Sequence, residues 1–220
     1  MTSPGLTNRS MTVRPLDIDG AFLISSRSFV DDRGVFFEAY REDVLAEVLG
    51  YPPKLVQTNY SVSHRNVLRG VHGASVPPGL AKFVTCVRGS MLDFVVDLRT
   101  GSPTFGTWDM IVLDGRGSTS VYVEEGLGHA FVALDDDTCV QYHLSELYRP
   151  QEVVTVHPLD PEIGLPLRLP GPPVLSDRDA AAPSLRESVE QGLLPSYDAC
   201  LALRKARIHA APVPGLPVGS

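Results

Sequence analysis

The sequence predicts a mainly β protein built as a sandwich or a barrel. Between Val13 and about Val156, short runs rich in β-branched and aromatic residues alternate with turn residues. A doubly wound parallel sheet needs a helix between successive strands, and this stretch has almost no helical periodicity. Residues 91–98 carry apolar side chains on both faces with Asp93 and Asp97 on the same one, a pattern typical of a strand enclosed in two layers.

The predicted strands are separated by short polar turns such as Asp32-Arg33-Gly34 and Arg88-Gly89-Ser90. They cover residues 21–25, 35–39, 82–88, 91–98, 120–123, 129–134 and 139–143.

Three segments have helical patterns. Residues 41–49 repeat apolar side chains at helical spacing. Residues 184–192 begin with Ser184 and Glu187 in the order of a capping box, and residues 198–207 form the last helix. Together these patterns predict a disordered segment over 1–12, one domain over 13–185 and a C-terminal helical extension with a frayed tail over 186–220.

Composition excludes several classes of protein. The chain has 220 residues and 23.8 kDa, which suits one domain. A net charge of −7 argues against nucleic acid as a partner, which needs a basic surface. No apolar run reaches the roughly 18 residues of a membrane span, and MTSPGLTNRS lacks the apolar core of a secretory signal, so we expect no membrane partner and a cytoplasmic location. The three cysteines are widely spaced, and we expect them to be small buried apolar residues.

Two neighbouring segments hold side chains that could do chemistry. Arg69 and His72 lie three residues apart beside Gly70, and Lys82 follows within an apolar strand. A lysine that points into such a strand is costly unless it faces an anion or an oxyanion. His72 taken alone is more often a hydrogen-bonded structural histidine than a catalytic one.

Further polar groups lie at His129, at Tyr142 and Tyr148, and in Ser176-Asp177-Arg178-Asp179 before a helix. Packing explains most tyrosines on a sheet, and helix capping is the simple account of the last group. No closely spaced histidine pair suggests a metal, so we expect no catalytic metal. A G-x-S-x-G elbow and the Walker and Rossmann glycine loops are missing from the sequence as well.

Seen together and in order, these motifs resemble the dTDP-4-dehydrorhamnose 3,5-epimerase family over about residues 13–185, and in particular its branch in actinomycete antibiotic pathways. The motifs are Asp32-Arg33-Gly34 with Glu38, Gln57-Thr58-Asn59, Leu68-Arg69-Gly70-Val71-His72, Lys82-Phe83-Val84, Val96-Asp97-Leu98-Arg99, Ser102-Pro103-Thr104-Phe105-Gly106, Gly128-His129-Ala130-Phe131 and Leu175-Ser176-Asp177-Arg178-Asp179. The resemblance implies a cupin-type jelly roll or β-barrel that works as a homodimer, without metal or cofactor, on a dTDP-4-keto-6-deoxysugar.

The resemblance also implies the site residues. His72 matches the family's catalytic base, Asp179 its carboxylate partner, Tyr142 the acid on the opposite sugar face and Lys82 the lysine near the C4 oxygen. Contacts to the nucleotide and sugar are implied for Arg33, Glu38, Gln57, Asn59, Arg69, His129, Tyr148 and Arg178.

Two positions depart from the family pattern. Ala74 and Leu80 stand where the family often has glutamines, which leaves the identity of the sugar open. A family glutamate after the stacking tyrosine corresponds, with an offset of one residue, to Glu152.

The residue types suit proton transfer next to a ketone. Histidine titrates near neutral pH, a buried lysine stabilises an enolate, and a tyrosine hydroxyl can return the proton on the other face. We therefore expect an isomerase that inverts C5, C3 or both. The alternatives are a 3,4-ketoisomerase in a related barrel, or a cupin that binds a sugar nucleotide without catalysis.

Overall fold

The computed structural model of the chain describes residues 10–211, and they form a mainly antiparallel β structure of two facing sheets. The strands are β1 (Met11–Pro15), β2 (Ala21–Ser26), β3 (Phe29–Asp31), β4 (Gly34–Phe36), β5 (Gln57–Ser63), β6 (Leu68–Ala74), β7 (Lys82–Arg88), β8 (Ser90–Asp97), β9 (Trp108–Asp114), β10 (Thr119–Val123), β11 (Leu127–Ala133), β12 (Thr138–Leu144) and β13 (Val153–Thr155). The helices are α1 (Glu42–Leu49), a 3₁₀ turn at Pro150–Glu152, α2 (Asp177–Ala180), α3 (Leu185–Glu190) and α4 (Tyr197–Ala210).

The strand order is that of a jelly-roll type of barrel, as the sequence predicts. One sheet has the order β1-β2-β10-β7-β12-β5 and the other β13-β6-β11-β8-β9, while β3 and β4 form a separate hairpin. Sequence neighbours such as β7 and β8 therefore lie in opposite sheets. This winding brings distant segments of the chain to one end of the barrel.

Apolar side chains fill three layers. The interior between the sheets holds Val84, Val95, Phe131 and Val140 among others. The outer face of the five-stranded sheet is covered by the 156–175 loop region and by Leu185 of α3. Helix α1 packs on the outer face of part of the other sheet, while β5 at its edge keeps exposed side chains.

Strand β8 shows how the predicted alternation is realised. Met91 and Val95 belong to the interior cluster, whereas Phe94 and Val96 belong to the outer layer. Asp93, between the two interior residues in the alternation, is fully buried on the inner side of the barrel.

A β-bulge in β6 decides which side chains face the interior. Along β11, the pairing shifts from His129 with His72 to Phe131 with Arg69. Strand β6 therefore has one more residue than β11 over this stretch. Arg69 and His72 are three residues apart and would point to opposite faces of a regular strand, but the bulge puts both on the pocket side. Gly70 permits the bulge, because its φ of +131° is a conformation that favours glycine and an added Cβ would have almost no room.

The helical predictions hold with small shifts in bounds. Helix α1 begins at Glu42 with Arg41 as its N-cap, and the capping box of Ser184 and Glu187 is present at α3. Helix α4 is tied to the barrel by Arg204, which donates to Glu124 and Asp19. None of these helices in the described chain is long and apolar enough to span a membrane.

Two sequence expectations need adjustment at the N-terminal side. The strand expected over 35–39 is the shorter β4, because residues 37–39 leave the hairpin. Met11 and Thr12, placed in a disordered segment from sequence, begin β1 by pairing with β2. The rest of that segment, residues 1–9, and the tail from 212 to 220 lie outside the described residues.

The bulge yields a stability prediction. A Cβ added at Gly70 would lie 2.6 Å from the Ala130 Cα, and its φ would be strained as well. We expect Gly70→Ala to destabilise the fold by about 2–4 kcal/mol, which combines overpacking with backbone strain. Thermal or urea denaturation measures this directly.

Gly101→Ala is the matched control, because Gly101 also has a positive φ of 85° but no neighbour within 4 Å of an added Cβ. Its cost should be confined to backbone strain. Equal destabilisation by the two variants would show that close packing against β11 is unimportant.

Candidate active site

A pocket of about 290 Å³ opens at one end of the barrel, and several sequence-predicted residues line it. Strands β5, β6, β7, β11 and β12 each contribute side chains. The predicted residues in its lining are Asn59, Arg69, His72, Lys82, His129, Tyr142, Tyr148 and Arg178.

His72 and Asp179 form a direct pair although they are far apart in sequence. His72 Nε2 lies 2.7 Å from Asp179 Oδ1, with the carboxylate side chain 3% exposed and the imidazole 33% exposed. When Nε2 carries the proton toward Asp179, Nδ1 keeps a free lone pair. The ring is thus oriented and partly open to the pocket, as a general base requires.

Local hydrogen bonds explain how Asp179 reaches β6. The segment before α2 is fastened to the start of β6, since Leu68 N donates to Val174 O and Val174 N donates to Asn66 O. The Ser176 side chain then caps α2 by accepting from Asp179 N. This short polar segment therefore both caps α2 and places Asp179 against His72.

The surroundings of Asp179 favour its ionised form. Burial disfavours the ionised carboxylate, but hydrogen bonding to His72 and the charge of that ring outweigh burial and keep the pKa of Asp179 below its ordinary value. An ionised Asp179 stabilises an imidazolium at His72 once that ring has taken up a proton.

Lys82 is buried beside the same histidine. Its side chain is 8% exposed, and Nζ donates to the backbone oxygen of His72 at 2.9 Å. Burial lowers the pKa of Lys82 to about 8, while the charge of Asp93 acts in the opposite direction. The ammonium is therefore held in a water-poor position where it can interact strongly with a developing negative charge.

Tyr142 lies in the pocket on strand β12. Its hydroxyl is 3.2 Å from Ser61 Oγ, and its ring packs edge-on against His129 with centroids 6.0 Å apart. Burial raises the pKa of Tyr142 well above its ordinary value, so the hydroxyl keeps its proton at neutral pH. The site thus holds a base and a neutral proton donor on different strands.

His129 has a carboxylate partner of its own. Its Nε2 lies 2.6 Å from Asp93 Oδ1, and both side chains are at most 5% exposed. His129 lines the pocket, while Asp93 is fully buried behind it and is not part of the lining.

The outer part of the pocket is cationic although the chain is acidic. Arg178 donates to the Tyr148 hydroxyl at 3.3 Å and to Thr155 Oγ1 at 2.8 Å, and Arg69 donates to Ser63 Oγ. Four cationic side chains line the pocket against one carboxylate, that of Glu152. Such a balance favours an anionic ligand.

Three of the predicted contact residues do not line the pocket of their own chain. Arg33 lies at the turn between β3 and β4, 90% exposed, and binds Asp31. Glu38 accepts from Ser10 and lies 3.8 Å from Arg41. Gln57 is near the pocket but in a supporting position.

Gln57 bonds two pocket residues at once. Its Nε2 donates to Asn59 Oδ1 at 2.8 Å, and its Oε1 accepts from Tyr148 N at 2.9 Å. Gln57 therefore holds in position Asn59 and Tyr148, two of the predicted ligand contacts.

Sequence reasoning missed Ser61 and Arg149 in the lining and did not connect Asp93 with the site. Ser61 could have been found from its even spacing to Asn59 on one strand. Ala74 lies two residues after His72 in β6, Leu80 lies two residues before Lys82 in the segment that precedes β7, and both line the pocket.

The pocket therefore brings together a carboxylate-bound imidazole, a buried ammonium and a neutral hydroxyl beside a cationic surface, a set of groups that suits the class of isomerases that move protons next to a carbonyl. A family model described as dTDP-4-dehydrorhamnose 3,5-epimerase matches residues 15–187. The chain belongs to the dTDP-4-dehydrorhamnose 3,5-epimerase family.

Known relatives are similar over nearly their full length. A dTDP-4-dehydrorhamnose 3,5-epimerase of Streptomyces griseus is 50% identical over 194 residues, 88% of this chain and 96% of the relative. NovW, a 4-keto-6-deoxy sugar epimerase from the novobiocin gene cluster of Streptomyces spheroides, is 47% identical with a TM-score of 0.85, over 90% of this chain and 100% of NovW. ChmJ, a 3'-monoepimerase from Streptomyces bikiniensis solved with dTDP-quinovose, is 42% identical with a TM-score of 0.87, over 89% and 98%.

The pair of His72 and Asp179 predicts a pH-dependent stability. Because the pKa of Asp179 is lowered by folding, its contribution is present above the unfolded value of about 4 and is lost as pH falls through the folded value. We expect Asp179→Asn to cost about 1.5–3 kcal/mol near pH 6–7. The difference in Tm from the unmodified protein should shrink below pH 4.

Thermal denaturation between pH 3 and 7 measures the difference. Asp177→Asn is the control, since Asp177 is exposed on the same short helix. A Tm difference for Asp179→Asn that stays constant down to pH 3 contradicts the linkage.

Proposed function

We propose that the protein is a cofactor-independent epimerase of a dTDP-4-keto-6-deoxyhexose, with His72, Asp179, Lys82 and Tyr142 as its catalytic machinery. The observation that carries this proposal is the convergence of the 2.7 Å His72–Asp179 pair with Lys82 and Tyr142 in one pocket. The relatives named as 3,5- or 3-epimerases of dTDP sugars support the substrate class. NovW and ChmJ support a place in deoxysugar biosynthesis for a glycosylated natural product.

The first step is removal of a proton from the carbon next to the C4 ketone. His72 takes this proton on the ring nitrogen that does not face Asp179. The electron pair of the C–H bond forms a double bond to C4, and the π electrons of the C4 carbonyl move onto its oxygen, which gives the enolate. Asp179 balances the positive charge that His72 acquires.

Lys82 stabilises the enolate oxygen. A charged ammonium in a buried position lowers the energy of a transition state in which negative charge develops on that oxygen. Its pKa of about 8 leaves most molecules protonated at pH 7.

Tyr142 completes the inversion from the opposite side of the ring. Its hydroxyl donates a proton to the enolate carbon, the carbonyl is restored, and the configuration is inverted because the two protons are handled on different faces. Ser61, at 3.2 Å from the hydroxyl, orients it. Arg69 and Arg178 bind the diphosphate, and Tyr148 contacts the base.

Deuterium incorporation tests these roles. In D₂O, the unmodified protein should place deuterium at C3 of dTDP-4-keto-6-deoxyglucose, the position common to the relatives' named activities, and NMR shows whether C5 is labelled too. His72→Asn should lose 10²–10⁴-fold in rate, as expected without a general base. Tyr142→Phe should still exchange the hydrogen slowly but form little inverted product.

His64→Asn is the control histidine, because His64 is 88% exposed outside the pocket. It should retain full activity. A product with its carbonyl at C3 would instead establish ketoisomerisation. Full activity of a folded His72→Asn variant would refute the assignment of His72 as the base.

We further propose that two copies of the chain form the functional unit. The β3–β4 hairpin exposes apolar side chains, with Val30 78% and Phe36 67% exposed. Within residues 10–211, strand β5 is an edge of its sheet that no further strand pairs, and Tyr60 and Val62 are more than half exposed. Such apolar edges favour pairing with another chain.

The hairpin supplies a reason for the pairing. Arg33 matches a ligand contact of the family, but it lies at the exposed hairpin turn and is not part of its own pocket. In a homodimer, the hairpin of one copy delivers Arg33 to the pocket of the other. The same argument applies to Glu38 after the hairpin.

A mixing experiment tests delivery in trans. Arg33→Ala should raise KM roughly 10- to 100-fold, as for a lost charged hydrogen bond, and His72→Asn should be inactive. When the two are unfolded together and refolded, mixed dimers hold one complete site, so activity should return. Arg33 acting in cis predicts no return, and a monomer of about 23.8 kDa in light scattering contradicts the dimer itself.

A further inference from the structure

Strand β8 buries two aspartates on one face, and their surroundings differ sharply. Asp97 accepts from Arg99 through Nε and Nη2, both at 2.8 Å, and also from Thr104 at 2.7 Å. Its charge is fully compensated by residues of its own loop. Asp93 has no such partners, although it is equally inaccessible to water.

Asp93 makes one hydrogen bond through one oxygen. Oδ1 lies 2.6 Å from His129 Nε2, while Oδ2 has no hydrogen-bond partner among the described residues. A buried carboxylate oxygen without a donor costs stability. Its position next to His129, which lines the pocket, therefore points to a role other than packing.

The groups that face Asp93 are those of the proposed chemistry. His129 of β11 contacts it, and the charge of Asp93 acts on Lys82 of β7 and on Tyr142 of β12. The thiol of Cys86, also on β7, is the fourth titratable group within its influence. On β7, Lys82 alternates with the interior residues Val84 and Cys86, and Asp93 is on the inner side of β8. The two opposite charges therefore lie inside the barrel on facing sheets.

We infer that Asp93 is a positioning residue that fixes the His129 ring and keeps the Lys82 ammonium charged beneath the substrate. The inference rests on the proposed function, because it assigns the reason for which Lys82 must be charged. Asp93 is fully buried and is not part of the pocket lining, whereas His129 and Lys82 are, so we place its action on those two side chains.

The direction of the effect follows from the charges. Burial alone lowers the pKa of Lys82, and the attraction of Asp93 raises it back toward its value of about 8. Without Asp93, Lys82 loses its proton at a lower pH. Since the protonated form stabilises the enolate, activity must then fall earlier as pH rises.

Asp93→Asn tests the inference, because the amide has the same shape and no charge. We expect kcat to fall roughly 10- to 100-fold, as is typical when a group that orients a site residue is lost, with little change in KM. The alkaline limb of the pH profile should move down by about one unit, as for a lost opposite charge.

Lysine NMR gives a readout that is independent of turnover. The chain has three lysines, Lys54, Lys82 and Lys205, so ¹³Cε-lysine labelling gives three signals, and Lys82→Arg identifies the one of interest. In Asp93→Asn the Lys82 signal should titrate at lower pH than in the unmodified protein. Arginine does not titrate in this range, so Lys82→Arg should also remove the alkaline limb.

Asp97→Asn is the matched control on the same strand. It should lower Tm, because it breaks the bonds with Arg99, but leave the Lys82 titration unchanged. A folded Asp93→Asn with unaltered Lys82 titration and pH profile overturns the inference. Should that variant fold poorly, Asp93→Ser with saturating dTDP is measured in the same way, and the same result overturns the inference.

The two proposals fail in different ways. An unmodified protein that does not exchange deuterium contradicts the epimerase, whatever Lys82 does. Normal exchange in the unmodified protein, together with an unshifted Lys82 signal in the Asp93 variant, contradicts the role of Asp93 alone.

Discussion

The bulge at Gly70 is the constraint on which the site depends. It turns Arg69 and His72 to the same side of β6, and only a residue without a side chain fits, since an added Cβ would collide with Ala130. The same glycine places its backbone nitrogen 3.5 Å from Asp179 Oδ2. One local irregularity therefore positions His72, Arg69 and Asp179, and the regular strands around it hold the bulge in place.

Electrostatic balance is the second organising feature. The barrel interior holds Asp93 and Lys82, and the pocket adds three arginines to a chain whose net charge is −7. Opposite charges in a water-poor interior interact strongly, so each influences the protonation of its neighbours. A site of this kind does proton chemistry with ordinary side chains, because their surroundings set which of them hold protons near neutral pH.

Much of the fold could be predicted because its signals are local. Alternating strands, short polar turns and the capping box of Ser184 and Glu187 depend on neighbouring residues, and they appear where expected. The bounds of β4 and the early start of β1 differed, because pairing with another strand decides where an extended segment ends. For the site, ordered motifs indicated His72, Lys82, Tyr142 and Asp179, which the structure brings to one pocket region.

The sequence by itself determined the residue types, the β architecture and the family, since motif order and periodicity are properties of the chain. Tertiary structure decided which of these residues meet. It brings His72 into contact with Asp179, 107 positions away in the sequence. It also pairs Asp93 with His129 and Asp97 with Arg99, and it places Arg33 on an exposed hairpin. The physical reason is that contacts between facing sheets depend on register, bulges and winding, which arise only when distant strands pair.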